Sequence, residues 1–128
     1  MTDMKLRTIP LRRSALAQPE TIAIGASFDV TGARRFARSV TRLAQRHPAS
    51  VIVDMSQTQS VDSSGFGSLI SGLKKLDDAG ATSYVVCANP AVRRLMDFTG
   101  VSRMFAVVDR LSDARHAIEQ ATAEALAS

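Results

Sequence analysis

Val51-Ile52-Val53-Asp54 leads through Met55-Ser56-Gln57-Thr58-Gln59-Ser60 into Val61-Asp62-Ser63-Ser64-Gly65-Phe66-Gly67, and this run decides the fold. Three consecutive β-branched apolar residues read as a central strand buried on both faces. Residues 55–60 read as a polar loop, with Val61 the one apolar residue before the serines. From about Ser64 to Ala79 the pattern turns helical. Phe66, Leu69-Ile70, Leu73 and Leu76 share one face, while Lys74, Lys75, Asp77 and Asp78 face water. Gly80 stops the helix. Gly65, Gly67 and Gly72, with Ser68 and Ser71, crowd its first half. Glycine costs about 1 kcal/mol at an interior helix position, so this spacing predicts a close packing contact there.

Upstream, residues 31–46 have helical spacing. Ala33, Phe36, Ala37, Val40 and Leu43-Ala44 form one face, and Thr31 is the expected N-cap. Arg34, Arg38, Arg42 and Arg46 recur on another face with Arg35 beside them. His47-Pro48 ends the helix, since proline disfavours the helical conformation in the residue before it. Thr21-Ile22-Ala23-Ile24 is a short strand stopped by Gly25. Residues 4–13 alternate in part, and Pro10 confines a strand there to a sheet edge or strand end. These two segments are expected to pair antiparallel.

Downstream, Tyr84-Val85-Val86 is a strand. Asn89-Pro90 starts a helix presenting Val92, Leu95 and Met96, which Gly100 ends. Met104 to Val108 reads as the last strand, and Ser112-Asp113 opens a C-terminal helix. The face of that helix, Ala114, Ala117-Ile118, Ala121 and Ala125, is built from small residues. The order β-β-α-β-α-β-α-β-α predicts an α/β fold in one domain over residues 1–128. Its central sheet is mixed but mostly parallel, with four or five strands and about four helices.

Composition narrows the function classes. The chain has 128 residues, 45% hydrophobic and 22% charged, which suits one globular core. No apolar run reaches the roughly 18 residues of a membrane span. The N-terminal segment lacks the continuous apolar stretch of a signal peptide, so a cytoplasmic location is expected. Cys87 is the single cysteine, which excludes an internal disulfide and a cysteine-rich metal site. It reads as a buried thiol. The net charge of +4 permits an acidic partner without identifying one.

Ser63 and Ser64 have two open readings. As local structure, Asp62 or Ser63 caps the helix and both hydroxyls serve only there. As chemistry, a helix N-terminus tolerates or favours phosphate. Modification would add about −1.5 to −2 charges without melting the helix. Other candidates are weaker. Gly65 and Gly67 lack the third glycine of a dinucleotide fingerprint, and no Gly-x-Ser-x-Gly elbow surrounds the serines. His47 and His116 are isolated in sequence, and Asp54 and Asp62 fit loop capping better than a metal site. The arginine stripe reads as a solvated face or as a docking surface for an acidic protein or nucleic acid. Interleaved aromatics and a helix-turn-helix pattern are both missing, which makes nucleic acid the minor option. No acid, base and nucleophile converge, so no enzyme, cofactor or metal is expected.

The segments Val51-Ile52-Val53-Asp54-Met55-Ser56 and Val61-Asp62-Ser63-Ser64-Gly65-Phe66-Gly67 resemble the signature of the STAS domain. They are especially similar to bacterial anti-sigma factor antagonists. Asn89-Pro90-Ala91-Val92-Arg93-Arg94-Leu95 and Phe98-Thr99-Gly100-Val101 match the same family in order and distance. The resemblance spans about residues 21–120. Gly25-Ala26-Ser27-Phe28-Asp29 looks like the family's turn before the first helix, one residue longer. The resemblance implies a partner switch. The unmodified protein binds an anti-sigma factor that is also a serine kinase, and the sigma factor is released. The kinase uses ATP to phosphorylate the Asp-Ser-Ser-Gly motif, and a serine phosphatase restores the active form. Ser64 is the expected acceptor and Ser63 the reserve. The partner-binding set is Asp29, Asp62, Ser63, Ser64, Gly65, Phe66 and Gly67. The alternative within the family is an accessory subunit of a membrane transport ATPase, docking through the same face without a phosphorylation cycle.

Overall fold

The structure is a computed structural model, and it describes residues 18–127. Four strands form one parallel sheet: β1 (Glu20–Ala23), β3 (Ser50–Asp54), β5 (Thr82–Val86) and β6 (Ala106–Val108), in that spatial order. Two short strands, β2 (Ser27–Phe28) and β4 (Ser60–Val61), pair parallel in a second small sheet. The helices are α1 (Val30–Gln45), α2 (Ser63–Asp78), α3 (Pro90–Thr99), the single turn α4 (Val101–Met104) and α5 (Leu111–Ala127). The antiparallel partner expected from residues 4–13 lies outside the described residues.

β3 fills the central role its composition predicts. Val51, Ile52 and Val53 are all fully buried, and alternation sends them to opposite faces. Val51 and Val53 join the main core with Val85, Phe36, Val40, Leu69, Leu73 and Leu76. Ile52 joins a smaller core with Tyr84, Val86, Ala114 and Ile118 under α5. α1 and α2 therefore cover one face of the sheet and α5 the other.

Several boundaries differ from the sequence reading. α1 is capped by Asp29, whose Oδ1 accepts from Gly32 N–H at 3.1 Å, rather than by Thr31. The aspartate is placed one residue before the first helical turn, where its carboxylate can reach back to the third helical amide. Met55 is not a solvated loop residue. Its side chain is fully buried, and its N–H donates to Val86 O at 2.8 Å, which prolongs the β3–β5 ladder. The last strand begins at Ala106, because residues 101–104 complete a helical turn after Gly100. Gly100 has φ 86°, a left-handed value that a Cβ would strain, and this ends α3. α5 leans on the sheet only through its first half: Ala114 and Ile118 are buried, whereas Ala121 and Ala125 are exposed.

Candidate functional site

The site forms where the small β2–β4 sheet delivers two helices to the same end of the molecule. Phe28 pairs with Val61 in register, so the next residues, Asp29 and Asp62, stand side by side. Each aspartate caps the helix that follows it. Asp62 Oδ1 accepts from Gly65 N–H at 2.9 Å, the counterpart of the Asp29–Gly32 bond. The cap of α2 is thus Asp62, and Ser63 has no such duty. Ser63 and Ser64 fill the first two helical positions, both exposed. Neither hydroxyl makes a hydrogen bond among the described residues. Their backbone amides have no intrahelical acceptor, since the first four of any helix lack one. Two free hydroxyls therefore sit on the positive end of the α2 dipole.

Phe28 locks this end together. Its carbonyl accepts from Asp62 N–H at 3.1 Å, and a Cβ on Gly65 would collide with that same carbonyl. Only glycine lets α2 approach β2 so closely. Gly72 repeats the device one level deeper, where a Cβ would meet the ring of Phe36. Phe28 and Phe36 are in edge-to-face contact, with centroids 5.6 Å apart. Gly67 has open space in place of a neighbour. The close packing predicted from the three glycines thus comes from the chain's own β2 and α1, at two of the three. Ser68 adds a tie, donating to Ala33 O at 3.0 Å.

Of the predicted partner-binding residues, Asp29, Asp62, Ser63, Ser64 and Gly67 form one exposed face. Gly65 is buried beneath Phe28, and Phe66 is half-buried against the main core. These two act from behind, by setting where the serines stand. Sequence reasoning gave Phe28 no role. Ser27-Phe28 lies in the quoted turn, but two residues show no periodicity, so its bracing function has no local signal.

Asp54 Oδ1 accepts from Ser56 N–H at 2.9 Å, closing its own turn. No group of three or more metal-ligating side chains occurs among the described residues. His47 Nδ1 lies 3.2 Å from Ala79 O, joining the C-terminal ends of α1 and α2. Cys87 is fully buried, and desolvation pushes its thiol above the ordinary range.

The model of the STAS domain matches residues 15–114. The chain belongs to the STAS domain family. Solved structures share this STAS fold at low identity. An anti-sigma factor antagonist from Mycobacterium paratuberculosis matches with TM-score 0.69 and 23% identity, over 77% of this chain and 84% of that one. A sulfate transporter family protein from Wolinella succinogenes gives 0.73 and 17%, over 82% and 87%. The Bacillus cell fate determinant SpoIIAA in its phosphorylated form gives 0.61 and 17%, over 80% and 94%. Among the described residues no helix is long and apolar enough to cross a membrane.

Proposed function

We propose that this STAS domain is an anti-sigma factor antagonist switched by phosphorylation at Ser64, with Ser63 in reserve. One observation carries the reading. Asp62 does the capping of α2, which leaves both serine hydroxyls exposed and without a hydrogen bond among the described residues. Serines retained only for capping would be bonded to the helix they start. The unmodified face, Asp29, Asp62, Ser63, Ser64 and Gly67, docks an anti-sigma factor with serine kinase activity, and this releases the sigma factor. The protein is the kinase's substrate, not itself an enzyme, and works in the cytoplasm. Phosphate on Ser64 sits at a helix N-terminus, which favours the anion. Close to Asp62 it also meets like charge. The fold persists, the docking face turns strongly negative and the kinase leaves. A serine phosphatase reverses the step.

The test is incubation with an anti-sigma-type serine kinase from the same genome and ATP, followed by peptide mass mapping. One phosphate on Ser64, or on Ser63, is expected. If both remain unmodified, the switch fails for this protein. An accessory role in a membrane transport ATPase, using this face without phosphate, then becomes the better reading.

A further inference from the structure

The outer face of α1 carries more positive charge than the fold uses. Arg34, Arg35, Arg38 and Arg42 are exposed and form no ion pair with any described residue. The helix from Val30 to Gln45 contains no acidic residue to offset them. Only Arg46, just past its end, is matched, by Glu20 at 3.3 Å. Residues 1–17 hold one acid, Asp3, against Lys5, Arg7, Arg12 and Arg13, so their composition offers the stripe little relief. Four-residue steps place Arg34, Arg38 and Arg42 about 6 Å apart along the axis, drifting about 40° per step. The result is a row that winds about 80° around the helix from Arg34 to Arg42, a drift that long arginine side chains can span. Self-repulsion along such a row is destabilising, and helix formation does not need it, because Phe36, Val40 and Leu43 already bury the opposite face.

Arginine, with its planar fork, pairs carboxylates or phosphates bidentately. Three observations favour carboxylates on a protein. Asp29 stands at one end of the row and Glu20 near the other. Acids that bound the row at both ends suit a short acidic segment of a protein better than a continuous phosphate backbone or an anionic lipid surface. The aromatic rings are withheld: Phe36 and Phe28 are fully buried, so α1 offers nothing on which bases could stack. Val30, at the start of the helix, is its one exposed large apolar residue, too little for insertion into lipid.

We infer that the outer face of α1 is a docking surface for an acidic helix of a protein partner, one whose carboxylates recur every four residues. Such a helix laid alongside α1 has the same repeat of about 6 Å, so several Arg–carboxylate forks form in register. The surface lies beside the serine face, since Ser68 of α2 bonds Ala33 of α1. It operates whether or not Ser64 is a phosphoacceptor.

The probe is a synthetic helical peptide with glutamates at every fourth position, titrated into the isotopically labelled full chain and followed by backbone amide shifts. A peptide of equal composition with its glutamates clustered is the control. Expected are shifts along α1 from Arg34 to Arg42, at least about threefold tighter binding of the spaced peptide, and loss of about tenfold in affinity for R34E/R38E/R42E. The lysine triple variant R34K/R38K/R42K keeps the charge and loses the fork, so it should fall between. Equal binding of both peptides, or unchanged binding by the glutamate triple variant, overturns the inference. Random duplex DNA or phosphatidylglycerol vesicles binding α1 more tightly than the spaced peptide would also overturn it, assigning the face to nucleic acid or membrane. These outcomes are independent of the kinase assay, so the two ideas stand or fall separately.

Discussion

Helices α1 and α2 run 16 residues each, start from an aspartate cap, follow paired strands and bury apolar faces against the same side of one sheet. Their outer faces share almost nothing. α1 shows long arginines, whereas α2 begins with Ser63, Ser64 and Gly67. The inner chemistry is what the fold demands: aliphatic side chains, a cap and glycine where backbones meet. The outer chemistry is free of that demand, and there the two helices diverge. α2 offers small, exposed hydroxyls at a helix N-terminus. α1 offers fixed charge suited to steering and register. If both proposals hold, the pair divides docking into a part that can be switched and a part that cannot.

The strongest blow to this arrangement is Gly65→Ala. The added methyl meets the Phe28 carbonyl, a backbone atom held by its bond to Asp62. A loss of about 3 kcal/mol or more is expected by urea unfolding. A loss under about 1 kcal/mol would show that α2 can retreat from β2 without penalty. Removing either cap, Asp62→Ala or Asp29→Ala, should cost about 1 kcal/mol. Equal losses would support the matched construction of the two helix starts; a much larger loss at Asp62 would mark it as more than a cap. Gly67→Ala has open space around it and should stabilise by about 0.5–1 kcal/mol through helix propensity alone. Thermal unfolding would check the sign.

Cys87 supplies a test away from both helices. Its folded thiol is held above the ordinary range by burial, so the unfolded chain releases that proton first as pH rises. Stability is therefore unaffected by this group below the ordinary thiol range and declines as pH climbs through it. Cys87→Ala should remove that decline, measured as the difference between the two pH–stability curves.

The elements legible in the sequence were those with enough length to show a period or a strong local cap. Val51-Ile52-Val53 and the apolar face of α2 are of the first kind. Asn89-Pro90 is of the second, with Asn89 Oδ1 accepting from Ala91 and Val92 amides at 3.0 and 3.3 Å. β2 and β4 were not legible, because two residues cannot display alternation and their partner is set by tertiary contact. Met55 read as loop because a single apolar residue carries no pattern, yet the β3–β5 ladder draws it inside. Residues 101–104 read partly as strand because Met104-Phe105 is apolar, although the chain is still completing a turn beyond Gly100. At the site, the motif located the two serines but left the cap open between Asp62 and Ser63. Only the geometry of Gly65 N–H decided it. With Asp62 as the cap, neither serine hydroxyl has a capping role.

The most direct measurement of the central claim is calorimetric titration of an anti-sigma-type kinase from the same genome with three forms of this chain. The wild type and Ser64→Ala should bind alike. Ser64→Asp should bind at least about tenfold more weakly, a difference of about 1.4 kcal/mol, with an unchanged melting temperature. Equal affinity for all three, or loss of binding accompanied by loss of fold in Ser64→Asp, would contradict a switch that acts by charge on an intact docking face.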